Sequence, residues 1–213
     1  SILNDYTTLT SDASSGTNNL NVASSVLNAT LGSPLAAGDL IFIIQMQGAS
    51  MTTANDTTYG SLIPYGNCGN FEFLEVADVP SSTQITTACQ LKNSYSSSGR
   101  TQVVRVPRLT TLTVGSGGSM TCPPWNGSTG GVLILEVVNG ITVNSGGTIN
   151  ATGKGFRAGQ NAGENNTDYG IQNYVFNLST FGAEKGEGIG GNTSDYDGMS
   201  GRYCKGAPLN GGG

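Results

Sequence analysis

Leu112-Thr113-Val114-Gly115-Ser116-Gly117-Gly118-Ser119-Met120-Thr121 is echoed by Ile141-Thr142-Val143-Asn144-Ser145-Gly146-Gly147-Thr148-Ile149-Asn150 at an offset of 29 residues (141 − 112). Apolar residues fall on apolar residues, and Ser-Gly-Gly falls on Ser-Gly-Gly. A unit of short strand, glycine corner and short strand, repeated at a period of 20–30 residues, is the signature of a solenoid. In a parallel β-helix, Leu112, Val114 and Met120 would point inward in one coil and Ile141, Val143 and Ile149 in the next. The glycines would turn the corners at positive φ. Val138-Asn139-Gly140-Ile141 supports a competing reading, because Asn-Gly is a strong signal for a type I′ hairpin turn. That reading pairs Val132–Val138 with Ile141 onward, antiparallel. Coils are favoured, because two copies of one motif arise by chance less readily than one Asn-Gly.

Outward from the repeat, the fold class is all-β. Residues 1–108 read as a small barrel- or sandwich-like module. Leu40-Ile41-Phe42-Ile43-Ile44-Gln45-Met46 is nearly continuous in apolar residues, as in a strand covered on both faces. Phe71-Glu72-Phe73-Leu74-Glu75-Val76 alternates, with its aromatics on one side. Val79-Pro80-Ser81-Ser82 reads as a turn, Gln84-Ile85-Thr86 and Gln102–Val106 as further strands, and 48–70 as an exposed loop. The module runs into solenoid coils over 109–154. Residues 155–213 form a glycine-rich irregular segment carrying 15 of the 33 glycines. The closing run Asn210-Gly211-Gly212-Gly213 suggests a chain cut from a larger protein. The polar opening at Ser1 suggests a mature N-terminus whose export signal has been removed.

Composition limits the function. There is no histidine, so the commonest general base and metal ligand are missing. The chain is therefore expected not to be an enzyme. Nine Lys+Arg against fourteen Asp+Glu, a net charge of −5, make a poor partner for nucleic acid. No apolar run is long enough to span a bilayer. A surface of Ser, Thr, Asn and Gly suits an extracellular, cell-surface location.

Cys68, Cys89, Cys122 and Cys204 form an even set with no zinc spacing. Disulfides are expected on the extracellular reading. Cys68–Cys89 is favoured because both flank one predicted strand pair, and Cys122–Cys204 then follows. Four buried thiols are the alternative. Asp195-Tyr196-Asp197-Gly198 resembles half of a calcium loop but lacks the bidentate Glu. Asp195 and Asp197 are thus a weak calcium site beside a simple turn, and no other cofactor is expected. Glu184 and Glu187 flank Lys185, a pattern closer to an exposed ion pair than to opposed glycosidase carboxylates. Tyr59, Tyr65, Trp125 and Tyr169 lie among turn residues, where they would either stack on sugars or, as expected for Trp125, cap a core.

Gly38-Asp39-Leu40-Ile41-Phe42-Ile43-Ile44-Gln45-Met46-Gln47-Gly48-Ala49, Gln102–Arg108, Ala151–Arg157 and Gly182–Gly188 together resemble the N-terminal region of very large secreted surface proteins of Bacteroidetes and other gliding bacteria. The resemblance spans about Asp5 to Gly213. It implies an adhesin exported by type IX secretion machinery, whose partners are other copies, other surface proteins or surface glycans. Asp56-Thr57-Thr58 resembles the site at which such bacteria attach O-linked glycans, which would make Thr57 the acceptor. The cysteines depart from the family pattern. The expected function is non-catalytic adhesion or extracellular assembly. The alternative is a carbohydrate-binding or carbohydrate-cleaving β-helix protein. The strand-like Ser1–Val22 would either open its own domain or be donated to a neighbouring subunit.

Overall fold

A computed structural model describes residues 1–52, 56–58, 60–157 and 187–190. No helix occurs among them. The chain divides into two compact units, one comprising Ser1–Gln45 with Asn70–Gly155 and the other Met46–Gly69 with Phe156–Gly213.

The first unit contains a six-stranded antiparallel sheet. Its strands are β1 (Asp5–Thr8), β2 (Asn19–Asn21), β3 (Leu40–Gln45), β4 (Phe71–Ser81), β5 (Gln84–Thr87) and β6 (Thr101–Val106), in the spatial order β1-β6-β3-β4-β5-β2. The two outer strands meet where Leu9 bridges Val22, and Thr10 N–H donates to the Asn21 carbonyl at 2.9 Å. The sheet therefore curls back on itself, which removes most of its free edge. Leu20, Ile41, Ile43, Leu74, Val76, Ile85 and Val103 fill the interior. Ser1–Val22 thus supplies two strands of its own sheet, as in the reading in which it opens its own domain.

Polar inward residues tie down the ends. Arg105, 4% exposed, donates to the carbonyls of Leu27 and Ser33 and forms an ion pair with Asp39 at 2.7 Å. β3 and β6 are buried on both faces because the outer face is also covered. Phe42, Val104 and Val106 pack there against Tyr6, Leu40, Ile44, Val132 and Ile134. β4 runs through the expected Val79–Ser82 turn, and the chain reverses instead at Ser82–Thr83. Pro80 is tolerated because it falls within a register shift between Asp78 and Ser81, where no ladder N–H is missed.

After Pro107 the chain enters two stacked coils. β7 (Arg108–Leu109), β8 (Leu112–Val114) and β9 (Ser119–Met120) pair in parallel with β10 (Glu136–Val137), β11 (Ile141–Val143) and β12 (Thr148–Ile149). Ile141 lies on Leu112, Val143 on Val114 and Ile149 on Met120, so the coil reading holds and the hairpin does not form. Asn139-Gly140 instead adds a residue at a corner, with Gly140 at φ +135°. That extra residue changes the coil offset from 28 at Glu136↔Arg108 to 29 at Ile141↔Leu112.

The two glycines of each Ser-Gly-Gly do different work. Gly117 and Gly146 hold φ of +72° and +80°. Gly118 and Gly147 are pressed against backbone, and a Cβ on Gly147 would meet the Val114 carbonyl oxygen at 2.8 Å.

Side-chain amides replace the ladder where the second coil crosses the sheet. Asn4 donates to the carbonyls of Arg105 and Ile134 and accepts from Ile134 N–H. Gln102 exchanges two bonds with the backbone of Gly130.

In the second unit, the described part of the expected 48–70 loop carries an antiparallel pairing. Met51 bridges Leu62 antiparallel, and Ser50 and Thr52 donate to Pro64 and Ser61. Gly48 and Ala49 donate to the Ile189 carbonyl, and Glu187 holds Arg157 through two side-chain bonds.

Candidate binding cleft

The alternation in β4 places Glu72, Leu74 and Val76 inside and Phe71, Phe73 and Glu75 outside. Glu72 is a buried carboxylate with a structural task. It accepts from Lys92 N–H, Asn93 N–H and Tyr95 hydroxyl at 2.8–3.1 Å, and so fixes the 88–95 loop beside β4. Burial first, and then the bond to Glu72, pushes the Tyr95 phenol well above its ordinary value.

Phe71 and Phe73 remain 57% and 52% exposed. Both lean on Phe42 of β3, at ring-centroid distances of 5.6 and 4.9 Å. Residues two apart on a strand are about 7 Å apart, so the rings form a stepped apolar platform.

Beside the platform lies an open cleft of about 350 Å³, walled by Phe71–Leu74 on one side and Cys89, Gln90, Lys92 and Asn93 on the other. Ladder parity adds backbone groups to it. Gln45 N–H donates to Asn70 and Val76 N–H to Asp39, so every second residue between them bonds to β3. Phe71 and Phe73 therefore turn their N–H and C=O away from β3. β5 pairs with β4 only from Val76 onward, so these groups have no strand partner and face the cleft. Lys92 forms no ion pair with a described residue. The cleft thus combines bare aromatic faces, backbone donors and acceptors, two amides and one ammonium.

Of the candidate site residues singled out in the sequence, Cys89 alone among the described ones lines the cleft. Cys68, Cys89 and Cys122 carry no disulfide in the structure. Cys68 belongs to the second unit and Cys89 to the first, so the expected Cys68–Cys89 bridge is left to alkylation before and after reduction. The Cys68 thiol lies 3.3 Å from the Met46 carbonyl, while Cys89 is exposed at the rim of the cleft. Cys122 is buried, and burial pushes its thiol and that of Cys68 up. Its proposed partner Cys204 lies outside the described residues, as do Asp195, Asp197, Glu184, Lys185, Tyr59 and Tyr169.

Thr57 is exposed, next to a turn in which Asp56 accepts from Thr58 N–H and hydroxyl. Trp125 is 2% exposed and belongs to the core, as expected, whereas Tyr65 is 62% exposed. No cluster of three metal-ligating side chains occurs among the described residues.

No protein-family model and no curated protein matches the chain. Among solved structures it is similar to the tailspike gp61 of Pseudomonas phage phi297, with 18% identity and a TM-score of 0.33 over 66% of this chain and 20% of that one. It is also similar to the Gp54 tailspike of Acinetobacter baumannii bacteriophage AP22, solved in complex with A. baumannii capsular saccharide. There the identity is 16% and the TM-score 0.32, over 69% of this chain and 24% of that one. A third is the tailspike gp49 of Pseudomonas phage LKA1, with 16% identity and a TM-score of 0.30 over 66% and 21%. The chain spans a quarter or less of the length of each.

The sequence reading missed the platform. Each face of Phe71–Val76 carries two apolar residues and one Glu, so the pattern alone did not say which face meets solvent.

Proposed function

We propose that this chain is a carbohydrate-binding module of an extracellular surface protein, which holds a glycan at the Phe71–Phe73 cleft and does not cleave it. One observation carries this reading: two half-bare phenylalanine rings stand over a cleft whose wall offers unpaired backbone N–H and C=O groups. Pyranose rings present flat C–H faces and equatorial hydroxyls. The former stack on aromatic rings, and the latter need closely spaced donors and acceptors. Binding without turnover agrees with Glu72, whose carboxylate is engaged in positioning the 88–95 loop. Surface display and type IX export rest on the sequence resemblance, and labelling of intact cells tests them.

The direct test is a glycan array followed by calorimetry on the polysaccharides retained. The double variant Phe71→Ala/Phe73→Ala should lose binding about tenfold, since contact with each aromatic ring is worth roughly 0.5–1.5 kcal/mol beyond its buried area. Both rings are about half exposed and lie outside the interior, so the variant should keep its β spectrum while losing some melting temperature through the contacts with Phe42. Unchanged affinity in the double variant would remove the cleft as the site. Release of reducing ends from any bound polysaccharide would replace binding with hydrolysis.

A further inference from the structure

We infer that the outer edge of the second coil, along Ile141–Val143 and Thr148–Ile149, is a self-association surface that pairs with the same edge of a second copy of this chain. The two ends of the coil stack are finished differently. Beneath the first coil, Thr121 N–H donates to the Ser1 carbonyl, the Ser1 amino group bonds to Ser119, and Ile2 pairs in parallel with Thr121. The N-terminal segment therefore covers that edge. On the other side, Ile141, Val143 and Ile149 are 51%, 46% and 42% exposed, although they stack on Leu112, Val114 and Met120. Among the described residues, no strand pairs with β11 or β12 beyond β8 and β9. Among the described residues, the backbone groups of their outer edges therefore have no ladder partner.

Charge and pattern select the occupant. A β edge left in solvent normally carries Lys, Pro or an inward charge that discourages pairing. From Ile141 to Asn150 there is no charged residue and no proline. Two copies that each carry −5 repel one another over most of their surface, and this uncharged strip is where they can approach. The strand Ile141-Thr142-Val143 is self-complementary about its centre. Antiparallel pairing across a two-fold axis sets Ile141 against Val143 twice and Thr142 against Thr142. This is the isologous contact that a two-fold dimer requires. It also continues, between molecules, the coil-on-coil contact already made within one. Two short edges bury far less than the roughly 1,200 Å² of a stable interface. The dimer should accordingly be weak and dependent on concentration.

Sedimentation equilibrium of the whole chain, from micromolar to near-millimolar, reads the mass. The expected result is a rise from monomer toward twice the monomer mass. Val143→Lys should abolish that rise without altering the melting point, because the side chain is already half in solvent. Thr142→Cys in a Cys68→Ser/Cys89→Ser/Cys204→Ser background, which leaves only the buried Cys122 among the native cysteines, supplies a second reading. On mild oxidation it should yield a disulfide-linked dimer, since paired Cβ atoms lie about 5 Å apart across an antiparallel pair. A chain that stays monomeric throughout, or a dimer that Val143→Lys leaves intact, overturns the inference. Neither result bears on glycan binding at the separate β4 cleft.

Discussion

Single residues decide whether each wall of this molecule faces inward. Glu72 and Phe71 sit side by side in β4, and the carboxylate is buried while the ring is bare. The inversion holds because Glu72 finds three donors inside, whereas Phe71 finds Phe42 outside. Such partnerships depend on residues twenty or more positions away, so Phe-Glu-Phe-Leu-Glu-Val could be read as a strand but not oriented. The Ser-Gly-Gly corners were readable because their constraint is local. Their glycines are required by positive φ at Gly117 and Gly146 and by close backbone approach at Gly118 and Gly147. Tyr95 shows the reverse case, a residue whose role appears only in the fold. Its phenol, like that of Tyr6, is held neutral to higher pH in the folded chain than in the unfolded one, chiefly by burial. Below about pH 10 the phenol is neutral in both states and its contribution to stability is fully present. Above that pH the unfolded chain gains by ionising and the folded chain does not, so stability falls. Urea midpoints measured from about pH 8 to about pH 11 should decline at the alkaline end. Tyr95→Phe should flatten part of the decline, and a variant with the parent slope would remove Tyr95 as a contributor.

At the scale of elements, the repeat carried most of the information. Two ten-residue strings at an offset of 29 correctly stacked β11 on β8 and β12 on β9, residue on residue. The join between sheet and coils was not legible, because it is made by side-chain amides in place of a backbone ladder. Asn4 is 2% exposed and makes three hydrogen bonds, to the Arg105 carbonyl and to both backbone groups of Ile134. Nothing in the polar opening Ser-Ile-Leu-Asn-Asp distinguishes Asn4 from a solvated asparagine. Asn4→Ala should destabilise the fold by about 2–4 kcal/mol, since each buried partner left unsatisfied costs roughly 1–3 kcal/mol. Asn4→Asp should be no better, because a carboxylate cannot donate to the two carbonyls. Hydrogen exchange gives the local readout: amides over 130–135 should lose protection first in Asn4→Ala. Uniform loss of protection along the chain would show that Asn4 acts on global stability and does not tie the coil to the sheet.

At the scale of the whole molecule, the cleft and the coil edge belong to one compact unit but are separate surfaces, and their combination sets how the protein would behave on a target. Under the proposed function, a single open cleft with two phenylalanines would hold a sugar weakly. A polysaccharide repeats its epitope, however, so a dimer joined through β11 and β12 brings two clefts to one target. The second contact then forms at an effective local concentration near millimolar, and overall avidity can exceed the single-site affinity by roughly 10²–10⁴. This gives a prediction in which the two sites have distinct signatures. Val143→Lys should leave affinity for a short soluble oligosaccharide unchanged, because that ligand occupies one cleft. On an immobilised polysaccharide at protein concentrations where the parent dimerises, the same variant should bind about 10–100-fold more weakly, with the loss in the off-rate. Phe71→Ala/Phe73→Ala should lose both kinds of binding. Surface plasmon resonance on the polymer, beside calorimetry with the oligosaccharide, separates these effects. Equal losses for Val143→Lys in both formats would mean that the substitution reaches the cleft itself. No loss in either would mean that the clefts act singly even when two chains are paired.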